Sequence, residues 1–220
     1  MLRPCGRCFG PAEDASAQRK MLRSYVGAPK CWRASHRLVY AHPQCDCRDF
    51  WRSSDLLEEV ASAAGVDVHY IVADVLKLEE EVLQEEAHAV IMEMGILHYF
   101  VDLTPLLEGV VARLLRPGGR LILREFHPIS TKLISCGRSG KHKVDGNYFD
   151  SSLIETRVAY SKYADNDSRG KVQLRKWGLG EVVTAMAKAG LHIVMLKEEP
   201  TVKLRDAGIP KTFIIVAEKL

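Results

Sequence analysis

The stretch VVARLLRPGGRLIL, residues 110–123, constrains the fold more than any other part of the chain. Leu106, Leu107, Val110, Val111, Leu114 and Leu115 recur at helical spacing and make one apolar stripe. Thr104 is expected to cap that helix, with Pro105 in its first turn. Pro117-Gly118-Gly119 stops it, and RLILREF reads as a strand. A helix feeding a strand through so tight a turn belongs to a layered α/β arrangement.

The same grammar runs from Ser53 to the end. Ser54 is expected to cap a helix carrying Leu56, Leu57, Val60, Ala61 and Ala64 on one face, closed by Gly65. VDVHYIVAD alternates as a strand, a charged helical stretch covers about 76–86, and AHAVIMEMG reads as a short buried strand. GEVVTAMAKAG is an amphipathic helix closed by Gly190. LHIVMLKEE and TFIIVAEKL are two final strands with no helix between them, so they should pair antiparallel at one edge. Alternating strands and helices predict a mostly parallel sheet covered on both faces.

Residues 129–177 interrupt that rhythm. ETRVAYSKY and KVQLRKW read as two strands joined by the turn ADNDSRG. Such an insertion after a strand's carboxyl end is placed to cover a ligand, or is a surface hairpin without a role. Tyr148, Phe149, Tyr160, Tyr163 and Trp177 make it aromatic, as a lid over a small molecule or as plain packing. WGLGE, where the next helix begins, reads as a cap.

Residues 1–52 form an atypical head. They hold ten Lys/Arg against four Asp/Glu, and five of the six cysteines. Only HRLVYA resembles a strand, and it is a candidate to fill part of a sheet. Cys5-x-x-Cys8 and Cys45-x-Cys47, with His36 and His42, match no regular zinc spacing, so no metal is expected. An Arg-rich, acid-poor head resembles an organellar transit peptide; otherwise a cytoplasmic location is expected. The net charge of +3 is too small to argue for nucleic acid. No apolar run approaches the roughly 18 residues that span a bilayer.

From about residue 55 onward the chain resembles the class I S-adenosylmethionine-dependent methyltransferases. VHYIVADV resembles their third strand, AVIMEMGILHYFVDL the fourth strand and its loop, and LLEGVVARLLRPGGRLILREFHP the fourth helix, turn and fifth strand. WGLGEVVTAMAKAGLHIVMLKEEP resembles the fifth helix and sixth strand, and TFIIVAEKL the seventh. The resemblance implies a Rossmann-like sheet ordered third-second-first-fourth-fifth-seventh-sixth, with S-adenosylmethionine over the carboxyl ends of the central strands.

It also implies a site. Asp74 and Val75 would lie at the adenine, and Glu93, Met94 and Gly95 would face the cofactor's sulfonium. Methyl transfer is an in-line displacement, so the protein mainly aligns the acceptor and, where needed, removes its proton. His98, in the loop after the fourth strand, and His127, which with Glu125 ends the fifth, are the candidates for that work. A turn acid and structural histidines are the plain alternatives for these positions. Where the family usually starts its fourth strand with an acid, Ala87 and His88 stand here.

One part of the pattern is missing. Before Gly95 the glycines are Gly6, Gly10, Gly27 and Gly65, so no glycine-rich loop precedes it. Asp46 and Asp49 lie near the expected ribose acid. The head is accordingly expected to differ from the family's usual N-terminus, through an alternative exon, start or reading frame. Two functions follow: methyl transfer to a small molecule, or a truncated, inactive relative. A nicotinamide-dependent dehydrogenase is disfavoured, because it too needs the glycine-rich loop.

Overall fold

The computed structural model describes residues 62–63, 65, 71, 73–84, 86–93, 95–136, 141–157, 171–201 and 208–220. The head, the helix from Ser54, the strand VDVHYIVAD, Met94, Tyr160, Tyr163 and the turn ADNDSRG lie outside them, wholly or in the main.

Four strands form the main sheet: β1 (Ala87–Glu93), β2 (Leu115–Phe126), β7 (Leu191–Pro200) and β8 (Pro210–Lys219), ordered β1-β2-β8-β7. β1 and β2 are parallel, whereas β8 runs antiparallel to both β2 and β7. This is the fourth-fifth-seventh-sixth half of the expected sheet, including its antiparallel end. Pairing jumps from Ala87 opposite Leu115 to Ala89 opposite Arg120, so residues 116–119 loop out of the ladder. Gly118 takes a positive φ of 73° there, which is why the turn needs glycine. The Pro-Gly-Gly turn is thus a bulge inside β2 rather than a break before it.

One face of the sheet is closed by two helices. The first, α2, runs as an α-helical turn Thr104–Leu106, a π-helical segment Leu107–Val111 and a turn Ala112–Leu114. The other, α3, spans Leu179–Lys188, and Gly190 follows at φ 73°. Their stripes meet Leu121, Leu123, Phe213, Ile215 and Ala217, all at most 1 % exposed. Burial on this scale stabilises by about 1.5–3 kcal/mol for each large side chain, which makes this face the core.

Three local expectations are corrected. Thr104 does not cap α2: Leu103 is the N-cap, and the Asp102 carboxylate accepts from the Thr104 N–H at 2.9 Å. An aspartate two residues upstream outcompetes a threonine that is already helical. The charged stretch 76–86 breaks into a 3₁₀ turn Val75–Lys77 and a single helical turn, α1 (Glu80–Leu83). What holds it is the apolar contact of Leu78 and Leu83 with Val110 and Leu114. β1 is buried on one side only: Met92 faces the core while Ile91 is 47 % exposed.

The insertion contains two hairpins. β3 (Ile134–Cys136) pairs with β4 (His142–Val144), and β5 (Leu153–Arg157) with β6 (Lys171–Arg175); the second hairpin lies near the expected one, but β5 starts earlier, at Leu153, and shares only residues 155–157 with ETRVAYSKY, whose remainder lies outside the described residues. Among the described residues no helix is long and apolar enough to cross a membrane, and no group of metal-binding side chains occurs.

Candidate active site

Parallel pairing delivers the carboxyl ends of β1 and β2 side by side, with Glu93 opposite Arg124. One residue further, Glu125 points to the helix-covered face, opposite Phe213 of β8. Its buried carboxylate reaches back across β1. One oxygen accepts from the Gly95 N–H at 2.7 Å and the other from the Leu97 N–H at 3.0 Å. The first oxygen also takes the Phe126 N–H at 2.7 Å. Burial raises the carboxyl above its ordinary pKa, and these backbone donors oppose the rise.

The loop held this way starts with Gly95 at φ 85°. A Cβ there would lie 2.9 Å from His98 Cε1 and 3.3 Å from a Phe126 ring carbon. Only glycine fits such a turn. Leu97–Tyr99 then make a 3₁₀ turn, which presents His98 with its ring 4.3 Å from that of Tyr99. Burial pushes the His98 imidazole down from 6.5 to about 4, so it is neutral near pH 7.

That depression predicts a pH dependence. Between about pH 4 and 6.5 the unfolded chain holds a proton on His98 that the folded chain does not. Its contribution is therefore fully present above 6.5 and is lost as pH falls toward 4. Glu125 shifts oppositely, so the measurement is the difference in unfolding free energy between wild type and His98→Gln. That difference is expected to move in favour of wild type by about 2 kcal/mol from acid to neutral pH. A flat difference would show that the histidine is freely solvated.

The insertion grips the same loop from the other side. The Trp177 indole N–H donates to the Leu97 and Phe100 carbonyls at 2.9 and 3.1 Å. Arg175 stacks over the Trp177 ring at 3.8 Å and donates to the Val101 carbonyl at 2.8 Å. Its other nitrogen meets Glu181 at 2.8 Å, and Glu181 accepts from the Gly178 N–H at 2.7 Å, closing the start of α3. WGLGE is thus a cap, as its sequence predicts. Loop 95–101 is held by a strand carboxylate, an indole and a guanidinium.

The remaining sequence candidates fall as follows. Asp74 caps the Val75–Lys77 turn through the Leu76 N–H at 3.0 Å, and its carboxylate is exposed, 3.4 Å from Lys77 Nζ. Val75 packs against the core cluster that contains Met92 and Leu97. Glu93 ends β1 with an exposed side chain. His127 is 2 % exposed; its Nε2 lies 2.7 Å from Glu198, and its Nδ1 accepts from the Ile129 N–H at 3.2 Å. Nδ1 as acceptor makes Nε2–H the donor, so both nitrogens are occupied: Nε2 ties the end of β2 to Glu198 of β7, and Nδ1 holds the turn that follows His127. Phe149 is 87 % exposed and Tyr148 is half-buried, its hydroxyl accepting from the Leu179 N–H.

Sequence reasoning did not assign the Glu125 clamp or the Trp177 and Arg175 braces. One signal was present: in period two Glu125 shares the inward face of Leu121 and Leu123. An acid at an apolar-face position must be hydrogen-bonded or pair with charge.

No protein-family model matches the sequence, and no curated protein is similar to it at a significant level. Solved structures do match. A methyltransferase dependent on S-adenosylmethionine from Mesorhizobium loti superposes with a TM-score of 0.55 at 18% identity, over 93% of this chain and 98% of that one. The glycopeptide N-methyltransferase MtfA, solved with S-adenosyl-L-homocysteine, superposes with a TM-score of 0.57 at 13% identity, over 96% and 90%. Together with the strand order, these likenesses show that the chain has the class I S-adenosylmethionine-dependent methyltransferase fold.

Proposed function

We propose that this chain binds S-adenosylmethionine over the carboxyl ends of β1 and β2 and transfers its methyl group to a small molecule. The observation that carries this reading is the braced loop 95–101 at that edge of the sheet, where open α/β sheets take their ligands. The residues present fit one wall of such a site. The Asp74 carboxylate is exposed, although it caps the Val75–Lys77 turn and lies beside Lys77, and would accept from an adenine amino group, with Val75 behind it; Glu93, Met94 and Gly95 would border the sulfonium. The bound cofactor supplies a methyl group already activated by positive sulfur. The chain itself aligns the acceptor.

His98 is our candidate to touch the acceptor. A neutral imidazole with a pKa about 4 is a weak base, so orienting an N–H or O–H suits it better than removing a proton outright. His127, sealed by Glu198 and Ile129, is read as a brace outside the catalytic set.

The second reading, a relative that binds no cofactor, is favoured by the absence of glycine-rich spacing before Gly95. Calorimetry of the full chain with S-adenosylmethionine and S-adenosylhomocysteine decides between them. Micromolar binding is expected; no heat at millimolar ligand would leave the second reading standing.

A further inference from the structure

Charge is unevenly spread along the chain. Residues 53–128 hold 5 Lys/Arg and 14 Asp/Glu, whereas residues 129–177 hold 10 and 5. The insertion is therefore basic and the segment before it acidic.

Two of those cations converge at the insertion's base. Lys132, in the π-helical turn Ile129–Leu133, is only 8 % exposed. Its ammonium donates to the Lys176 carbonyl at 3.2 Å, while the Lys176 ammonium donates to the Thr131 carbonyl at 2.5 Å. Each lysine thus bonds to backbone beside the other. Gly146 passes so close to the Lys132 carbonyl that a Cβ there would overlap it, so glycine is required at this crossing. The Tyr148 ring lies 5.8 Å from Lys132 Nζ.

The counter-charge acting on the pair is that of Asp150. Asp150 acts on both ammonium groups, yet among the described residues no carboxylate pairs with either, and that of Asp150 accepts from the Ser152 N–H. Partial burial and the Lys132 charge lower the Lys176 pKa, and the Asp150 charge offsets them only in part. Lys132 is buried with a single carbonyl acceptor for its ammonium, while Lys176 beside it is exposed, and an anion reaching both from the Lys176 side would offset part of the cost of the buried charge. Lys176 also directly precedes Trp177, the residue that holds the loop carrying His98.

We infer that Lys132 and Lys176 bind an anionic group, a carboxylate or a phosphate, on the methyl acceptor. This rests on the methyltransferase reading for the word acceptor, and on the lysine geometry alone for the anion. The competing role, a lock that merely ties the insertion down, predicts no response to anions.

The test titrates the full chain, labelled at lysine Cε, with inorganic phosphate and separately with acetate, and follows the lysine signals by NMR. S-adenosylhomocysteine affinity is measured alongside by calorimetry. Saturable shifts of Lys132 and Lys176 in one of the two anions are expected, and the anion that acts identifies the group. Lys176→Met should weaken that binding about tenfold, the loss for one charge-assisted hydrogen bond, with S-adenosylhomocysteine affinity unchanged. Lys132→Met keeps the buried stem and should do the same; if it fails to fold, the wild-type titration and Lys176→Met decide. Shifts no larger than that of exposed Lys188 in both anions would overturn the inference, with cofactor binding intact. Anion binding without S-adenosylhomocysteine binding would instead overturn the methyltransferase reading, and the acceptor assignment with it.

Discussion

Glu125→Ala is expected to destabilise the chain by about 3–5 kcal/mol, because it leaves three backbone N–H groups without their acceptor in a buried place. Glu125→Gln keeps the shape but turns an amide donor toward one of those N–H groups, so a loss of about 2 kcal/mol is expected. Urea unfolding followed by circular dichroism measures both. The order Ala worse than Gln worse than wild type is the signature of an acceptor role. If Glu125→Ala cost under about 1 kcal/mol, the clamp would not be what orders the turn after β1.

The second large effect belongs to Trp177. Trp177→Ala removes a ring packed on the core, the stack under Arg175 and the donor shared by two carbonyls. A loss of about 3–5 kcal/mol is expected. Trp177→Phe keeps most of the ring and deletes only the donor, so it separates packing from hydrogen bonding. Its predicted consequence is local: faster amide exchange across residues 97–101, with helix α3 as protected as before. Equal acceleration in both segments would mean that the indole serves general packing and has no specific hold on the loop.

Much of this architecture was legible because it follows local periodicity. Leu121, Leu123, Phe213, Ile215 and Ala217 alternate, Val182 and Met186 recur at helical spacing, and the missing helix between β7 and β8 dictates their antiparallel pairing. The insertion's β5–β6 hairpin was readable for the same reason. Features set by contacts distant in sequence were not. The shortening of the 76–86 helix depends on where Val110 and Leu114 lie, and the one-sided burial of β1 on which face the helices take. The Thr104 expectation failed on a local competition, since Asp102, two residues earlier, forms an equally short-range bond.

The site divides along the same line. Gly95 and His98 were singled out by position along the chain, whereas the contacts that shape their loop come from partners far away in sequence. Glu125 is 30 residues from Gly95, and Trp177 is 80 from Leu97. His127 looked like a second candidate because it ends a strand beside the expected ligand. Its burial against Phe213 and its contact with Glu198, 71 residues later, come from strands that its own position does not reveal.

The place of β8 carries a consequence for how the protein is made. It comes last in order among the four strands of the main sheet, yet it fills the gap between β2 and β7. On the ribosome those two neighbours emerge earlier with raw edges and nothing to join them, a state prone to wrong association. The sheet closes in one late step, when residues 210–219 arrive, and premature termination before Pro210 leaves two fragments of a sheet rather than one shortened sheet.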